Sequence, residues 1–385
     1  MKKEIRDRYI LELLDSMIQQ GGTDLFITAG ACPSIKVDGR LQSIATDELS
    51  SMQANALVKS IMNDHQLNEF EANKECNFAI NLPAKPRFRV NAFRQRNHSG
   101  MVCRIIHSDI PSLDQLRLPQ VFKDIAMASR GLVLVVGGTG SGKSTSMAAM
   151  VGHRNKNSHG HIVTIEDPIE FVHQHQGCIV TQREVGVDTD SYACALKNTL
   201  RQAPDVIMLG EIRDRESMEY ALTFAETGHL CMATLHANSA DQAIERIINF
   251  FPQERRMQLL MDISMNLRAS ISQRLLAAKN SSGRVPAIEI LLNTPLVAEL
   301  IFKGEITKLK SLMAASQELG MQTFDQSLLA LIKDNAVSVE DGLRHADSLN
   351  DLRLKLKLEG KSDLTQGTEG WTVANHMPAG LVERS

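Results

Sequence analysis

The residues with the clearest chemical potential lie in a glycine-rich turn. Residues 132–145 read LVLVVGGTGSGKST, in which an apolar run ends in glycines that are followed by a lysine, a serine and a threonine. Gly137, Gly142, Lys143 and Ser144 satisfy the pattern G-x-x-x-x-G-K-[ST]. Glycines let successive backbone N–H groups converge on phosphate oxygens, and the N-terminus of a following helix adds its positive end. The segment therefore predicts a cradle for the phosphates of a nucleotide; the alternative is a glycine-rich loop that only turns the chain.

Two side chains of this loop have chemical roles of their own. Lys143 is expected to reach the β- and γ-phosphates, and the Ser144 hydroxyl is expected to bind Mg²⁺. The sequence has no N-K-x-D motif of the kind that recognises guanine, which favours adenine and therefore ATP with Mg²⁺. The residues predicted to bind the nucleotide are Gly137, Gly138, Thr139, Gly140, Ser141, Gly142, Lys143, Ser144 and Thr145.

A first group of carboxylates follows a predicted strand at residues 162–165. The strand is short and β-branched, and the acidic segment EDPIE comes directly after it, at residues 166–170. Carboxylates at the C-terminal end of a strand in an open α/β sheet lie where ligands bind. We therefore predict that Glu166 helps to bind Mg²⁺, directly or through water. For Glu170, a place at a helix N-terminus that suits the helix dipole is an equal alternative.

A second carboxylate, Glu211, follows the apolar strand predicted at residues 205–209. In most P-loop ATPases an aspartate that binds Mg²⁺ follows such a strand, with a glutamate beside it that acts on water. Here Gly210 stands in the aspartate position and only the glutamate is present. We predict that Glu211 is the general base that polarises the attacking water, and that part of the metal binding passes to the acidic segment. The alternative is a buried strand that ends in a glutamate by chance.

Two histidines flank another apolar strand, predicted at residues 230–233. His229 ends the segment TGH and His236 ends the segment TLH. Lone histidines are more often structural than catalytic. Because these two are expected at the same sheet edge beside the candidate base, we predict that they sense the γ-phosphate and relay the state of the nucleotide.

Arginines are unusually dense near the end of the first hundred residues. They are Arg87, Arg89, Arg94, Arg96 and Arg104. One interpretation is a solvated face of a sheet. The other is that one or two of them reach a nucleotide phosphate in trans, as arginine fingers do.

Composition narrows the class of protein. The 385 residues suffice for two or three domains, and 43% hydrophobic with 23% charged residues is typical of a soluble globular chain. The formal net charge of −3 at pH 7 disfavours nucleic acid as an obligatory partner. No apolar run approaches the ~20 residues that span a bilayer, and the N-terminus is charged, so we expect a cytoplasmic protein. The six cysteines include no C-x-x-C pair, which predicts neither a zinc site nor disulfides.

The segments that must position these residues indicate an α/β protein with several parts. Residues 1–108 combine helical and strand patterns, with a helical stretch over 51–70, as in a compact α+β module. Residues 109–119 contain two prolines and little periodicity, which predicts a linker that lets this module move. From 120 to 290, strands alternate with helices, the pattern of a parallel sheet with crossover helices.

The last part of the chain is predicted to be helical over residues 291–359. Before it, apolar residues at 260, 263, 267 and 271 recur at helical spacing, which predicts a helix over 260–271. Residues 360–385 are polar and rich in glycine, so we expect a disordered tail with Trp371 as a candidate docking point.

Seven motifs occur in order along the chain. They are GGTDLFITAG near the start, RFRVNAF in the first module, GGTGSGKST, TIEDPIEFVH, DVIMLGEIRD, TGHLCMATLHANSA and GMQTFDQSL. In combination they resemble the PilT/PilU class of type IV pilus retraction ATPases, within the larger family of secretion ATPases. The resemblance implies a PAS-like N-terminal domain joined to a RecA-like ATPase domain, with ATP between them. It also implies a homohexameric ring at the cytoplasmic face of the inner membrane, which turns a platform protein so that pilin leaves the fibre base.

The resemblance implies roles for individual residues as well. By this resemblance Lys143 and Ser144 bind phosphate and Mg²⁺, and Glu211 is catalytic. Glu166 belongs to an acidic motif, and His229 and His236 belong to a histidine motif. Arg89 and Arg104 approach the nucleotide.

Two departures from the family pattern bear on the kind of motor. Assembly and secretion ATPases usually carry a tetracysteine zinc module and a longer N-terminal extension, and this sequence has neither. Motors of the PilT kind carry an AIRNLIRE-like helix where residues 296–305 here read LVAELIFKGE, and the chain has a longer polar tail. The loss of the arginines at 296–305 and the longer polar tail resemble PilU, an accessory motor that acts with a PilT-like motor. The alternatives are a principal PilT-like motor, an ATP-assembled adaptor ring with weak turnover, and a RecA-like DNA translocase, which the acidic balance opposes.

Overall fold

The computed structural model describes residues 3–37, 39–80, 82, 85–106, 109–279 and 283–358. Within them the chain forms a six-stranded sheet followed by a seven-stranded sheet, each covered by helices. This mixed architecture confirms the predicted α/β fold class. The predicted tail and Trp371 lie outside the described residues. Among the described residues, no helix has both the length and the apolar character needed to cross a membrane.

The six-stranded sheet belongs to the first part of the chain. Its elements are α1 (Lys3–Gln19), β1 (Asp24–Ile27), β2 (Ser34–Val37), β3 (Arg40–Ser43), α2 (Ser51–Ser60), α3 (Asp64–Asn73), β4 (Glu75–Ile80), β5 (Arg87–Gln95) and β6 (His98–Ile106). The strand order is β3-β2-β1-β6-β5-β4, and all neighbours are antiparallel. Helices α1 and α2 pack on one face of this sheet and form a core with it.

The structure has two helices, α2 and α3, where one helical stretch was predicted over residues 51–70. The prediction of a single stretch was therefore wrong. Asn63 begins α3 with a capping box, in which its side chain accepts a hydrogen bond from the Gln66 backbone and the Gln66 side chain accepts one from the Asn63 backbone, both at 2.9 Å. An asparagine that satisfies free N–H groups in this way starts a new helix.

The seven-stranded sheet forms the centre of the second part. Its elements are α4 (Val121–Ala126), β7 (Gly131–Val136), α5 (Lys143–Asn157), β8 (Gly160–Glu166), β9 (Cys178–Glu184), α6 (Tyr192–Thr199), β10 (Val206–Leu209), α7 (Arg215–Glu226), β11 (Leu230–Leu235), α8 (Ala240–Asn249), α9 (Arg256–Asn266), β12 (Leu267–Ala277) and β13 (Arg284–Leu292). The order is β13-β12-β7-β11-β10-β8-β9, and only β13 runs antiparallel to its neighbour. Every residue of β7, β10 and β11 is buried, as expected for central strands covered on both faces.

The helix predicted over residues 260–271 was wrong in its second half. Helix α9 ends at Asn266, and Leu267 begins strand β12, which pairs with β7 so that Ile271 lies opposite Val135. A strand that is buried on both faces loses the alternation of apolar and polar residues, and its apolar positions can then match a helical spacing.

Within the described residues, five α-helices follow β13. They are α10 (Pro295–Phe302), α11 (Leu309–Ala315), α12 (Phe324–Lys333), α13 (Val339–Arg344) and α14 (Leu349–Leu358). Phe324 and Leu328 of α12 and Leu352 of α14 are buried against the hairpin of β12 and β13. The C-terminal helices are therefore packed directly on the sheet that carries the candidate site.

The predicted linker at residues 109–119 is anchored to the second part of the chain. Leu113 and Leu118 are buried, and both belong to the core cluster that contains Phe122 and Val133. These contacts join the segment to the seven-stranded sheet.

Candidate active site

A cleft of about 460 Å³ opens at the C-terminal edge of the parallel strands. Because parallel strands end at the same edge of a sheet, the loops after β7, β8, β10 and β11 meet there. The side chains that line this cleft include Lys143, Ser144, Glu166, Asp167, Tyr192, Glu211, Arg213, Thr234 and His236. The structure thus brings the predicted phosphate loop, the acidic segment and the candidate base together.

Lys143 lies inside the glycine-rich loop. Its side-chain nitrogen donates hydrogen bonds to the carbonyl oxygens of Gly137 and Gly138, at 2.8 and 2.9 Å, and the residue is 9% exposed. Burial lowers the pKa of this ammonium group, and the nearby Glu211 carboxylate opposes the shift. The lysine is thus held at the loop by weak backbone acceptors, which phosphate oxygens can replace.

The loop geometry requires glycine where the helix begins. Gly142, with φ +89°, precedes α5, and a Cβ atom there would lie 2.6 Å from Nε2 of Gln273. The same Gln273 accepts a hydrogen bond from the Ser146 hydroxyl at 2.8 Å, so it holds the loop against β12. Among the described residues no side chain caps α5, and the Ser141 hydroxyl is buried without a partner. Free N–H groups and an unpaired hydroxyl fit a phosphate group.

Glu211 is surrounded by hydrogen-bond donors. Arg213 donates from Nε to Oε2 of Glu211 at 2.6 Å, and Nε2 of His236 lies 3.1 Å from Oε1. Arg213 also donates from a terminal nitrogen to Oδ2 of Asp167 at 3.0 Å. The carboxylate remains 20% exposed, on the side of the cleft. A carboxylate placed in this way can orient a water molecule once one of its partners moves.

The glycine that replaces the usual aspartate is required by its neighbours. A Cβ atom at Gly210 would lie 2.8 Å from the Tyr192 hydroxyl and 3.2 Å from the Cα atom of Glu166. The Tyr192 hydroxyl donates to the carbonyl oxygen of Ile165 at 3.4 Å, and burial raises its pKa. Tyr192 therefore fills the space that an aspartate side chain would need.

Glu166 is buried at the end of β8, beside Gly210, which follows β10 directly. Its Oε1 accepts hydrogen bonds from the Thr164 hydroxyl at 2.7 Å and from the Gln182 amide at 3.1 Å. Burial raises the pKa of this carboxyl group to about 7. A buried carboxyl oxygen set at the cleft wall fits a hard cation or the water molecules around one.

The two histidines do not share a sheet edge, so that prediction was wrong. His236 follows β11 at the cleft, whereas His229 precedes β11 at the opposite edge of the sheet. Seven steps of ~3.3 Å along a strand separate them by about 23 Å. The His229 ring instead lies within hydrogen-bond distance of the Thr227 hydroxyl and the Phe224 carbonyl. His229 is therefore remote from the cleft of its own chain.

The arginines of the first sheet do not line the described cleft. Arg104 donates to the buried Asp24 carboxylate at 2.6 Å, and Arg89 lies opposite Arg104 on the neighbouring strand. Arg87 makes a contact between the two parts of the chain, because one of its terminal nitrogens lies 3.7 Å from Oε2 of Glu184 at the end of β9. Arg89 and Arg104 do not line the described cleft of their own chain, so a solvated sheet face and action in trans both stay predictions for them.

A second cleft of about 750 Å³ adjoins the glycine-rich loop on its other side. It is lined by Leu116 and Leu118 of the predicted linker, by Thr145 of α5, and by Leu275 and Arg284 of the β12–β13 hairpin. The lining combines aliphatic walls with polar groups near the loop. Such a combination suits an aromatic base and a sugar.

Three residues of these clefts were missed by the sequence argument. Arg213 stands two positions after Glu211, and this spacing was its only signal. Arg284 lines both clefts and donates to the carbonyl oxygen of Gly140 at 3.4 Å, although these two residues lie 144 positions apart in the sequence. Only the fold of the sheet brings them together. Gln273 lies on β12, whose first part, residues 267–271, falls within the predicted helix. No local pattern identifies Arg284 or Gln273, because only the sheet order brings them to the loop.

The comparisons with known proteins agree with this architecture. The family model described as Type II/IV secretion system protein matches residues 2–325. The chain is 58% identical over 362 residues to the type IV pilus ATPase PilU of Pseudomonas aeruginosa, which covers 92% of this chain and 95% of that protein. It is 43% identical over 337 residues to the PilT retraction ATPase of the same organism, which covers 88% of this chain and 98% of that protein.

Solved structures give the same result for the fold. The crystal structure of the pilus retraction motor PilT with bound ADP superposes with a TM-score of 0.83 at 38% identity and covers 89% of this chain and 98% of that chain. The ATPase DotB of Legionella pneumophila follows with a TM-score of 0.76 at 26% identity, over 87% of this chain and 94% of that chain.

Proposed function

The chain belongs to the family of type II/IV secretion system proteins, in which it is an ATPase of the type IV pilus retraction group, and we propose that it works as a Mg²⁺-dependent, homohexameric accessory motor. The observation that supports this best is the convergence of Lys143, Ser144 and Glu211 on one cleft. The reaction is hydrolysis of ATP to ADP and phosphate, with water as the attacking group.

The phosphates of ATP bind along the glycine-rich loop. Backbone N–H groups at the start of α5 receive the β-phosphate, and Lys143 leaves the carbonyl oxygens of Gly137 and Gly138 to contact the γ-phosphate. The adenine and ribose occupy the second cleft, between Leu116 of the linker and Leu275 of the hairpin. Arg284 lies between the two clefts, where it can contact either the ribose or a phosphate oxygen.

Glu211 accepts the proton of the attacking water, or orients it, when Arg213 or His236 gives up its contact with the carboxylate. The Ser144 hydroxyl and Glu166 are the oxygen groups that would hold Mg²⁺, directly or through water. When bound, Mg²⁺ neutralises the charge that builds up on the phosphate oxygens. His236 reports the presence of the γ-phosphate through its contact with Glu211.

The assembled motor is a ring of six copies. Arg89 or Arg104 of one copy approaches the nucleotide of its neighbour, and His229 acts at the same boundary rather than inside its own cleft. The ring lies at the cytoplasmic face of the inner membrane, where it turns a platform protein and removes pilin from the fibre. The matched PilT and PilU relatives carry pilus names, and this supports the same partners for this chain.

Two comparisons favour the accessory role over that of the principal motor. Identity to the PilU relative is 58%, against 43% to the PilT relative of the same organism. The helix α10 has the sequence PLVAELIF and lacks the arginines that the PilT kind carries at this point. Retraction is therefore expected to combine this ring with a PilT-like motor.

Turnover by the purified chain tests the enzyme. Lys143→Ala is expected to abolish Mg²⁺-dependent hydrolysis, and Glu211→Gln to lower it at least a hundredfold while nucleotide binding persists. Lys156→Ala, at the far end of the same helix α5, is the matched control and should leave turnover unchanged. Undiminished turnover in Lys143→Ala and Glu211→Gln would refute the site, and weak turnover by the unaltered chain would favour the adaptor ring.

Pilus imaging in the native host tests the motor. With Lys143→Ala in the chromosomal copy and the PilT-like motor present, retraction should continue without load and weaken under load. Complete loss of retraction would instead identify a principal motor, and loss of pili altogether would overturn the retraction role.

A further inference from the structure

Arg274 on β12 connects two segments that lie far apart in the sequence. One terminal nitrogen donates to the carbonyl oxygen of His345 at 2.7 Å. The other donates to the carbonyl oxygen of Asn238 at 3.2 Å and lies 2.8 Å from Oδ1 of Asp347. The arginine thus joins the loop that follows His236 to the segment between α13 and α14.

The plane of this guanidinium group is fixed. It lies over the ring of Phe324 on α12, with its central carbon 3.9 Å from the ring centroid, and the side chain is only 26% exposed. A planar group with donors in fixed directions can contact several acceptors at once, which a lysine ammonium on a flexible stem does not reproduce.

The loop at residues 236–239 is held at its other end as well. Glu289 of β13 is fully buried, and its Oε1 accepts a hydrogen bond from the backbone nitrogen of Ala240 at 2.7 Å, where α8 begins. His236 at the start of the loop contacts Glu211. A change at Glu211 that moves His236 is therefore carried along a short loop fixed on β12 and β13.

The C-terminal side of the connection is also rigid. The Asp325 carboxylate of α12 accepts hydrogen bonds from the backbone nitrogens of Asp347 and Ser348, at 2.8 and 3.1 Å. Lys310 of α11 lies 2.5 Å from the other oxygen of Asp347. A displacement at Asp347 is thus delivered to α12 and α14 together.

We propose that Arg274 is a positioning residue that couples the His236 loop to the C-terminal helices α12–α14, so that both change with the state of the bound nucleotide. The proposal deepens the proposed function and rests on it, since His236 must respond to the nucleotide. In this proposal the loop at residues 236–239, the His236 loop, is the element that changes between two positions. Arg274 transmits its position across the edge of the sheet.

Kinetics of the full chain separate this role from a structural one. Arg274→Lys keeps a positive charge beside Asp347 but loses the paired contacts with Asn238 and His345. We expect kcat to fall about tenfold with KM for ATP within twofold, because Arg274 lies outside both nucleotide clefts. Lys310→Gln removes the other ion pair of Asp347 and does not touch the loop, so it is the matched control. Its kcat and its KM for ATP should stay within twofold of the unaltered chain.

A double variant tests whether Arg274 acts through His236. If it does, His236→Ala with Arg274→Lys is no slower than His236→Ala alone, because effects along one connected path do not multiply. Multiplied losses, or a normal kcat in Arg274→Lys, would overturn the proposal.

Hydrogen exchange with added ADP gives a readout that needs no turnover. In the unaltered chain, ADP should change the exchange of backbone amides in α13 and α14, and in Arg274→Lys it should not. Asp347→Asn weakens the same connection from the C-terminal side and should reduce the ADP effect, even if the β12 variant fails to fold. An ADP effect that survives both substitutions excludes the coupling; absent turnover in the unaltered chain counts against the proposed function only.

Discussion

Nε of Arg213 lies 2.6 Å from Oε2 of Glu211, so the guanidinium group is paired with the carboxylate proposed to act on water. The same guanidinium group bridges to Asp167, 3.0 Å away, and His236 occupies the other oxygen of Glu211. Two acidic groups at the cleft therefore share one arginine, which compensates only part of their negative charge. The arrangement keeps Glu211 in place, and the proposed mechanism requires it to rearrange before hydrolysis.

Arg213→Ala should weaken nucleotide binding. Without the arginine, Glu211 and Asp167 present two negative charges to an incoming triphosphate, and repulsion across a partly exposed site raises KM for ATP by about tenfold, or about 1.4 kcal/mol. Steady-state kinetics measure the change. Arg215→Ala removes an arginine of similar exposure that pairs with Glu219, and it should leave KM within twofold. An equal rise in KM in Arg213→Ala and Arg215→Ala would show that KM responds only to the overall charge of the chain.

Restoring the usual aspartate at Gly210 should harm the protein. Its Cβ atom would meet the Tyr192 hydroxyl and the backbone of β8, so Gly210→Asp is expected to destabilise the fold by about 1–3 kcal/mol. Thermal unfolding measures the loss. In Gly210→Ala, removal of the hydroxyl by Tyr192→Phe should recover part of the stability, because only the backbone contacts then remain. Absence of any recovery would mean that Tyr192 does not exclude the side chain.

Stability should depend on pH through Glu289. Burial raises the pKa of this carboxyl group to about 7 from its ordinary 4.5, an effect to which the nearby Asp347 and Asp241 add and which Lys310 opposes. Between these values the folded chain binds more protons than the unfolded chain, so its stability falls as the pH rises. Glu289→Gln cannot ionise and still accepts from Ala240.

Relative to the unaltered chain, this variant should gain up to about 3 kcal/mol in unfolding free energy between pH 4 and pH 8, taking ~1.4 kcal/mol for each pH unit. Urea unfolding at both pH values measures the difference between the two chains. A difference that does not change with pH would contradict the assignment.

The ion pair between Arg87 and Glu184 should matter most at high pH. Burial raises the pKa of Glu184, and Arg87 partly opposes the shift. Arg87→Gln raises that pKa further, so the folded chain loses stability as the pH rises and the buried carboxylate ionises without its ion-pair partner. We expect a loss of about 1–3 kcal/mol at pH 8 and less at pH 5. Arg8→Gln, which breaks an exposed pair with Glu12, should cost under about 0.5 kcal/mol at both.

The sequence predicts the site best where the chemistry is local. Lys143, Ser144 and Glu211 are close to their strands in sequence, and the order of strand, loop and helix places them at one edge without further information. Glu166 follows the same rule at the end of β8. The sequence also shows that Gly210 stands where an aspartate is usual. It does not show the cause, which is the position of Tyr192 on α6.

The sequence does not predict which residues reach the site where their position depends on the order of the strands in the sheet. Gln273, Arg274 and Arg284 lie on β12 and β13, whose place beside β7 no local pattern reveals, and part of β12 had the spacing of a helix. The error over His229 has the same origin. Two residues that flank one strand are close in sequence, yet a strand carries its two ends to opposite edges of the sheet.

The separation of the two histidines gives the last prediction. His236 contacts Glu211 inside the cleft, whereas His229 lies about 23 Å away at the other end of β11. His236→Ala should lower kcat about tenfold, because Glu211 loses the partner that holds Oε1. His229→Ala should leave the affinity of the chain for ADP within twofold, as measured by calorimetry. If it lowers turnover, it should do so only under conditions in which the ring assembles. A loss of ADP affinity in His229→Ala at concentrations where the chain is monomeric would contradict the placement of this residue outside its own cleft.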